Sequence, residues 1–329
     1  MRKVCIHTYN DIISLENLLF AWQEFVKGKR YRKDVQKFEK HLMTNIITLH
    51  KDLIDIIYKH SKYEAFSVSD PKPRNIHKAK VRDRLLHHAI YRTLYPFFDK
   101  KFIFDSYSCR NKKGTHKAIN QFKNFAHKTS KNNTKTAWVL KCDIRKFFDS
   151  IDHKILIQAI TKYISDKQII WLLTAVIDSF HTEKRNIGLP LGNLTSQLFA
   201  NIYMNEFDQF VKHKIKAKYY IRYADDFVIL SHNKNWLESI LLQIKIFLYD
   251  KLKIKLHSKK VSIQTIASGI DYLGWVNFFD HRVLRTTTKK RIFRNIQEKQ
   301  LKIETIQSYL GLMSHGNTKK LRENINNLL

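Results

Sequence analysis

The sequence predicts an α+β fold, and three patterns support this prediction. The first 60 residues carry apolar side chains at helical spacing. Two later stretches, "TAWVLKCDI" (136–144) and "KYYIRYADDFVIL" (218–230), are rich in the aromatic and β-branched residues that are typical of strands. The region from residue 276 onward is basic, and we expect it to be helical.

The N-terminal region is predicted to contain two helices followed by a loop. Ser14 is a plausible N-cap for the first helix, and Gly28 is a natural stop. A second helix is expected around residues 34–60. "SDPKPRN" (69–75) holds two of the four prolines and is predicted to be a loop. The apolar residues that mark the first helix are Leu15, Leu18, Leu19 and Trp22.

The second half alternates strands and helices. A strand is expected to end near Asp143, with helices over "SIDHKILIQAITKYI" (150–164) and "LTSQLFANIYMNEFDQFVKHKI" (194–215). "KYYIRYADDFVIL" then predicts two strands around a turn. The side chains expected on the buried side of the long helix are Leu198, Ile202, Phe207 and Phe210. The basic residues at the start of the last region are Arg282, Arg285, Lys289, Lys290, Arg291 and Arg294.

The charge of the chain indicates a polyanionic partner. Lys and Arg number 60 against 29 acidic residues, which gives a net charge of +31. Phosphate contacts by such residues supply most non-specific affinity for nucleic acid. A membrane-surface protein is the alternative, but no apolar run approaches the roughly 20 residues of a spanning helix. We therefore favour nucleic acid and expect no membrane association.

The charge is most uneven between residues 72 and 146, where 20 Lys and Arg face four acidic residues. Aromatic residues are interleaved with these cations. An amphipathic helix with a solvated basic face would explain the pattern, but a groove that follows a phosphate backbone explains it better. Cys5, Cys109 and Cys142 lie far apart without a CxxC motif, which favours a cytoplasmic, reducing location and no structural zinc.

Asp225 and Asp226 stand at the tip of an otherwise apolar hairpin. Adjacent aspartates also occur in ordinary turns, so the dipeptide alone is weak evidence. Side chains alternate along a strand, so a further carboxylate must come from elsewhere, and Asp143 at the end of another strand is the best candidate. Carboxylates from neighbouring strands suit Mg²⁺, whose shell is completed by phosphate and water. Two such ions, roughly 3.5–4 Å apart, would stabilise an in-line displacement.

Six ordered blocks resemble reverse transcriptases. "LKCDIRKFFDSIDH" (140–153), "GLPLGNLTSQLFANIYMNEFD" (188–208), "RYADDFVIL" (222–230) and "YLGW" (272–275) resemble the palm motifs, and the segments 71–90 and 105–119 resemble the fingers motifs of bacterial members. The resemblance covers about residues 65–280. It implies a right-hand polymerase with fingers, a palm built on an antiparallel sheet and a helical thumb.

Within that family, "LGNLTSQ" (191–197) resembles the enzymes of diversity-generating retroelements, which carry Ser-Gln there, whereas group II intron and retron enzymes usually carry "QG…SP". The end of the chain after a short thumb is also similar to that class. The resemblance implies copying of a dedicated template RNA into cDNA with errors opposite adenine. It also implies dNTP substrates, an RNA/DNA duplex and a small basic accessory protein as partners.

The resemblance assigns roles to individual residues. Asp143, Asp225 and Asp226 would hold two Mg²⁺ ions, which Mn²⁺ can replace. Lys260 would protonate the leaving pyrophosphate, with Lys259 as its rival. The residues expected to contact the incoming dNTP or shape its pocket are Arg74, Arg84, Phe148 as the steric gate, Leu191, Gly192, Ser196 and Gln197, and Gly274 would turn the primer grip.

Leu191 departs from the wider superfamily, where many members have Gln. A glutamine amide can form a hydrogen bond near the incoming sugar, whereas leucine cannot. Loss of one such buried hydrogen bond removes on the order of 1 kcal/mol of the free energy that positions the nucleotide. We therefore hypothesise that Leu191 contributes to low fidelity.

The predicted organisation is an N-terminal helical extension (1–70), fingers (71–140), palm (141–275, with a helical insertion at about 155–187) and a basic helical thumb (276–329). Three alternatives remain open: a group II-like or phage-defence reverse transcriptase without adenine mutagenesis, an RNA-templated RNA polymerase, and a non-catalytic RNA-binding protein with this fold.

Overall fold

The computed structural model describes residues 4–69, 73–298 and 303–326. Within these residues the helices are α1 (Tyr9–Ile13), α2 (Leu15–Val26), α3 (Lys33–Glu39), α4 (Leu42–Ile54), α5 (Val81–Asp99), α6 (Thr115–Thr129), α7 (His153–Thr161), α8 (Lys167–Ile177), α9 (Leu194–His213), α10 (Lys234–Leu252), α11 (Thr286–Glu298), α12 (Ile303–Met313) and α13 (Lys319–Asn326). The strands are β1 (Glu64–Val68), β2 (Arg74–Lys78), β3 (Trp138–Asp143), β4 (Tyr219–Tyr223), β5 (Asp226–Ser231), β6 (Ser262–Thr265), β7 (Ile270–Tyr272), β8 (Trp275–Asn277) and β9 (Arg282–Leu284).

The chain divides into two compact units, each built from discontinuous segments. The first unit contains residues up to 104, then 144–214 and 245–255. The second contains residues 105–143, 215–244 and 256 onward. The predicted fingers, palm and thumb are each a continuous stretch of sequence, whereas these two units are not. The division into units therefore does not test the predicted boundaries, which stay predictions.

The first unit is mainly helical. Helix α5 packs against α2 and α9, and α2 also contacts α4. The side chains at the centre of α2, Leu18, Trp22 and Phe25, are buried because they repeat on one face of the helix. Strands β1 and β2 pair antiparallel as a separate two-stranded sheet. This unit carries the predicted nucleotide-binding residues.

The second unit is built on two antiparallel sheets. One has the strand order β4-β5-β3-β6, and the other has the order β7-β8-β9. Helix α6 packs its apolar side on the first sheet, where Phe122 joins Val139, Ile221 and Val228 in one buried cluster. Strand alternation places the side chains of that cluster on a single sheet face. The sheet carries all three candidate aspartates.

A second buried cluster joins the three-stranded sheet to the C-terminal helices. Its members include Trp275, Leu284, Ile292, Ile306 and Met313. The side chain of Trp275 lies directly against Gly316, where an added Cβ would overlap the indole ring. Close approach of this kind requires glycine.

Most of the predicted elements are present. Ser14 caps α2 by accepting a hydrogen bond from the Asn17 N–H, and Gly28 follows the helix with φ +67°. The predicted strand ends at Asp143, and the predicted hairpin is formed by β4 and β5. The helices expected at about 155–187 are α7 and α8.

Several expectations were wrong in detail. The single helix expected around residues 34–60 is two helices, α3 and α4, and residues 74 and 75 of the loop expected over 69–75 belong to strand β2. Residues 64–68 of the N-terminal extension form strand β1, because they pair with β2. The region after residue 276 does not begin as a helix: β8 extends to Asn277, and Arg282 lies in strand β9 and pairs with Asn277. Phe210 is half-exposed and stacks on Phe247 with ring centroids 4.1 Å apart.

Candidate active site

The pairing of β3 with β5 brings two of the three aspartates together. Asp143 and Asp226 are direct cross-strand partners, so their side chains leave the same face of the sheet. Asp225 lies in the two-residue turn that joins β4 to β5, next to Asp226. The motifs in the sequence give no strand register, so only the structure identifies Asp226 as the residue directly opposite Asp143.

The turn that carries Asp225 is conformationally strained. Ala224 has φ 54°, a left-handed conformation that is costly for a residue with a side chain. The fully buried guanidinium of Arg222 donates from Nη1 to the Ala224 carbonyl at 3.0 Å and from Nη2 to Ser106 Oγ at 3.1 Å. Arg222 therefore holds the backbone beside the aspartates.

Lys260 is in direct contact with the carboxylate pair. Its Nζ lies 2.8 Å from Asp143 Oδ2, and the backbone N–H of His257 donates to the Asp143 carbonyl at 2.8 Å. The segment after α10 is thus bonded to the end of β3. Of the two predicted rivals, Lys260 is the one with an ion pair to Asp143.

The carboxylates affect one another's ionisation. Burial, and then the nearby charges of Asp143 and Asp225, raise the pKa of Asp226 to about 6, while Lys141 and Lys260 oppose this shift. Neighbouring carboxylates repel one another, and a bound cation relieves that repulsion. Such raised values are typical of catalytic sites.

The donor set fits a hard divalent cation. Mg²⁺ is often held by one or two protein carboxylates plus phosphates and water, and Asp143 and Asp226 supply that number. Across residues 4–69, 73–298 and 303–326, no group of three or more His, Cys, Asp or Glu side chains is arranged as a metal site. The fit therefore rests on the two cross-strand carboxylates, with Asp225 beside them and the remaining positions left to substrate oxygens.

Among the predicted nucleotide-binding residues, Leu191 and Gly192 form a loop fastened to β2. The backbone N–H of His77 donates to the Leu191 carbonyl at 3.2 Å, and Asn193 Nδ2 donates to the His77 carbonyl at 2.9 Å. Gly192 has φ +100°, and an added Cβ would lie 3.0 Å from Ile76 Cγ2. Both its conformation and its close contact with β2 favour glycine.

The two faces of β2 line different cavities. Asn75 and His77 line a cavity of about 920 Å³, the Arg74 cavity, together with Arg74 and Leu191. Ile76 and Lys78 line a cavity of about 380 Å³, the Arg84 cavity. The alternation of side chains along a strand explains why Asn75 and His77 face one cavity and Ile76 and Lys78 face the other. Arg74, at the first position of β2, lines the first cavity although it has the same parity as Ile76 and Lys78.

The predicted nucleotide contacts are consequently divided between the two cavities. Arg74 and Leu191 share the first with Lys146, whereas Arg84, Gly192 and Gln197 share the second. Ser196 is buried in α9. The roles of all these residues stay predictions.

Phe147 and Phe148 have different environments. Phe147 is buried, whereas Phe148 is half-exposed and begins a short 3₁₀ turn. The rings meet nearly edge to face, with centroids 5.5 Å apart. Phe147 therefore serves as core and leaves Phe148 available as the predicted steric gate.

Gly274 occupies the predicted turn. With φ +87° it follows Leu273, which has φ 51°, in the two-residue connection between β7 and β8. Two successive residues with positive φ are the pattern of a tight hairpin turn. Its predicted role in the primer grip is not tested by this geometry.

Several neighbours of the aspartates were not predicted from the sequence. Lys141 lies on the same face of β3 as Asp143 and donates to the Asp271 carbonyl. Arg222 belongs to the quoted hairpin, but a single arginine among 60 basic residues gives no signal of burial. In the first unit, Asp34 pairs with both Lys78 and Arg84. Among these residues, only Lys141 gives a signal in the sequence. It stands two residues before Asp143, and residues two apart on a strand lie on the same face.

In the part of the chain that the structure describes, no helix is long and apolar enough to cross a membrane.

Comparison with known proteins places this geometry in a family. Residues 57–277 match the family described as reverse transcriptase (RNA-dependent DNA polymerase). The chain is 27% identical over 258 residues to Protein YkfC of Escherichia coli K12, covering 67% of this chain and 66% of that protein. It is 27% identical over 277 residues to the group II intron-encoded protein LtrA of Lactococcus lactis, covering 64% and 44%. The chain therefore spans less than two thirds of the length of these relatives.

The fold also has a solved counterpart. An apo telomerase from Candida tropicalis, truncated from its C-terminal domain, superposes with a TM-score of 0.52 at 13% identity, covering 74% of this chain and 60% of the other. The mixed helices and antiparallel sheets agree with the predicted right-hand polymerase fold. From the matched span, which includes all three aspartates, the chain belongs to the reverse transcriptase family.

Proposed function

We propose that the protein is an RNA-directed DNA polymerase that extends a primer on an RNA template. The observation that carries this proposal is the cross-strand pair of Asp143 and Asp226, with Asp225 in the adjoining turn. The membership of the family and the net charge of +31 support it, because the substrate and the product are both polyanions.

The aspartates would hold Mg²⁺, which stabilises the charge on the attacking and leaving oxygens of an in-line phosphoryl transfer. Asp143 and Asp226 supply carboxylate oxygens from adjacent strands, and Arg222 holds the turn between β4 and β5. Lys260, 2.8 Å from Asp143, would donate a proton to the leaving pyrophosphate. Lysine has three donor hydrogens and suits that role.

The Arg74 cavity is our candidate for part of the nucleotide site. Arg74 and Lys146 supply positive charge for phosphate oxygens, and Leu191 contributes an apolar surface. Phe148 would stand against the sugar and exclude ribonucleotides. Arg84, Gly192 and Gln197 line the Arg84 cavity and not the cavity of Arg74, so any part they play in nucleotide binding would differ from that of Arg74.

The class that we propose is the diversity-generating retroelement enzyme, which copies its template with errors opposite adenine. The motif "LGNLTSQ" supports this class, and Leu191 puts an apolar side chain where an amide could form a hydrogen bond. A small basic accessory protein is then a partner. Because this chain is itself strongly basic, RNA or a local acidic face would have to mediate that contact.

A second candidate is a reverse transcriptase of the group II intron type without adenine mutagenesis. The 27% identity to LtrA, a group II intron-encoded protein, favours it. Both candidates synthesise cDNA, so they differ in error spectrum and not in chemistry.

The test is cDNA synthesis by the purified protein with Mg²⁺ on a primed RNA containing all four bases, followed by sequencing of the products. Asp225→Asn is run beside the wild type, and Asp55→Asn, the same change at an exposed residue, is the matched control. We expect product from the wild type and the control and almost none from Asp225→Asn.

Errors concentrated opposite adenine would support the retroelement class, and faithful product would support the group II type. Leu191→Gln tests the fidelity hypothesis directly, because we expect it to reduce misincorporation. An unchanged misincorporation spectrum would show that Leu191 does not contribute to low fidelity. If no magnesium-dependent synthesis occurs even when the native RNA and the accessory protein are supplied, the polymerase proposal is contradicted.

A further inference from the structure

The hairpin of β7 and β8 is held rigid by a buried side chain. The amide nitrogen of Asn277, a residue that is 3% exposed, contacts the carbonyl oxygens of Ile270 at 3.2 Å, Tyr272 at 3.3 Å and Trp275 at 3.2 Å. Buried polar groups that share such a network are rigid. The hairpin therefore moves as one piece, and whatever holds one of its residues sets the position of its turn.

One residue of this hairpin, Asp271, is held from the strand that carries Asp143. Lys141 lies two residues before Asp143 on β3, so the two side chains leave the same face of the sheet. The half-buried ammonium group of Lys141 donates a hydrogen bond to the Asp271 carbonyl. Hydrogen bonds from a charged donor are stronger than those between neutral groups. Lys141 therefore ties the hairpin to the sheet of the aspartates.

Arg285 holds the same hairpin from a second side. Its Nε donates to Asp271 Oδ1 at 2.7 Å, and its Nη2 donates to the same oxygen. The backbone N–H of Arg285 donates to the Gly274 carbonyl, in the turn, at 3.3 Å. The Arg285 and Asp271 side chains are 32% and 46% exposed, and exposed ion pairs add little stability. The main effect of these contacts is therefore to fix the position of the hairpin against the start of α11.

Lys141 also lies near the proposed metal site. Its cross-strand partner on β5 is Val228, two residues after Asp226. Diagonal neighbours of this kind lie about 7–8 Å apart and are within reach of long side chains. Because Lys141 leaves the sheet face of Asp143 and Asp226 and ends at the hairpin, the length of its side chain sets the separation between the aspartates and the hairpin.

We propose that Lys141 is a positioning residue that, together with Arg285, holds the β7–β8 hairpin at a fixed distance from Asp143 and Asp226, so that the primer terminus meets the metal site. The inference rests on the proposed polymerase function and on the predicted role of the Gly274 turn in the primer grip. Lys141 acts through the hairpin and not by contact with the reacting groups. Misplacement by about 1 Å can slow a reaction about a hundredfold, even when every reacting group is still present.

The test compares the full chain with Lys141→Met, Lys141→Arg and Arg285→Gln. Lys123→Met is the matched control, because Lys123 is an exposed residue of the same unit that also donates to a backbone carbonyl, that of Asp280, at 3.3 Å. The single-turnover rate of incorporation on a primed RNA is measured at saturating Mg²⁺ and dNTP, and the affinity for the primed RNA is measured separately. Hydrogen exchange of the amides of residues 270–277 in the metal-free protein is a readout that needs no activity.

We expect Lys141→Met to lower the single-turnover rate about ten- to a hundredfold at saturating Mg²⁺, with the affinity for the primed RNA changed by less than about threefold. Lys141→Arg keeps a charged donor and should recover most of the rate. Arg285→Gln should also slow incorporation, and its effect should be smaller when Lys141→Met is already present, because both residues act on one hairpin. The hairpin amides should exchange at least about threefold faster in Lys141→Met and at the wild-type rate in Lys123→Met.

A wild-type rate for Lys141→Met once Mg²⁺ is saturating would overturn the proposal, because Lys141 would then only adjust the charge of the metal site. Equal exchange of the hairpin amides in Lys141→Met and Lys123→Met would overturn it as well. If Lys141→Met does not fold, Arg285→Gln decides, and a wild-type rate with unchanged exchange in that variant overturns the proposal.

A failure of the proposed function is recognised separately. The wild type would then make no product even with the native RNA and the accessory protein supplied. Faster hairpin exchange in Lys141→Met would still support the tether between β3 and the hairpin, and unchanged exchange would overturn it.

Discussion

Lys260 and a metal cation compete for the same oxygen of Asp143. In the free protein Lys260 Nζ lies 2.8 Å from Asp143 Oδ2. We predict that Lys260→Gln binds Mg²⁺ a few-fold more tightly in the absence of nucleotide and yet incorporates nucleotide at least tenfold more slowly. Magnesium titration followed by single-turnover kinetics measures both quantities. Lys259→Gln is the matched control, and equal effects of the two variants would refute a specific role for Lys260.

Asp226 links stability to pH. Its pKa in the folded protein is raised to about 6 from the ordinary value of 3.8 for an aspartate. The stabilising contribution of its neutral form is fully present below pH 3.8 and is lost as the pH rises through about 6. We predict that Asp226→Asn stabilises the metal-free protein by about 1–2 kcal/mol at pH 7.5 and by almost nothing near pH 4. Denaturant unfolding at the two pH values tests this, and an equal effect at both would contradict it.

Arg222 connects the strained Ala224 backbone to Ser106. We predict that Arg222→Met lowers the rate constant of incorporation about tenfold or more and requires more Mg²⁺, because the turn would lose a buried donor. Arg222→Lys should recover part of the loss through one remaining donor. A variant that merely unfolds would change the melting temperature without changing the magnesium requirement of the folded fraction.

At the level of elements, the hairpin of β4 and β5 and the end of β3 could be predicted because strand propensity and motif order agree there. The register that sets Asp226 opposite Asp143 could not, since a shift of one residue leaves the same sequence pattern. Strand β9 was missed because its three residues are stabilised by pairing with β8, a contact between distant positions. The division of the predicted nucleotide contacts between the two cavities could not be predicted either, because the cavities are formed only when β2, α5 and the loop around Gly192 pack together.

Gly192 lies between Leu191 and Asn193, which are hydrogen-bonded to β2, at a point where an added Cβ would lie 3.0 Å from Ile76 Cγ2. We predict that Gly192→Ala lowers the free energy of unfolding by about 1–2 kcal/mol, because φ +100° is strained for alanine and its Cβ would press on Ile76. Denaturant unfolding gives the value. Gly311→Ala is the control, because a Cβ there meets nothing within 4 Å. If Gly192→Ala lowers the free energy of unfolding by no more than Gly311→Ala does, the predicted effect of the contact with Ile76 is contradicted.

On the scale of the whole molecule, the dominant feature is the excess of positive charge, which we expect to govern RNA binding. With a net charge of +31, the protein is predicted to bind single-stranded RNA with a log–log salt slope of about −4 to −7, for six to ten phosphate contacts. Anisotropy titrations between about 50 and 200 mM salt measure the slope. A slope near zero would indicate that the excess charge is not used for RNA. The composition predicted the kind of partner, but it could not predict where the charge converges, because Asp34, Lys78 and Arg84 meet only after folding.

The most direct test of the central claim is incorporation of one nucleotide on a primed RNA by the wild type and by Asp143→Asn, with Mg²⁺ and then with EDTA. Asp55→Asn serves as the exposed control. We predict a magnesium-dependent product from the wild type and the control, and a rate at least a hundredfold lower for a folded Asp143→Asn protein. Undiminished incorporation by Asp143→Asn would contradict the assignment of the cross-strand aspartates as the catalytic metal site.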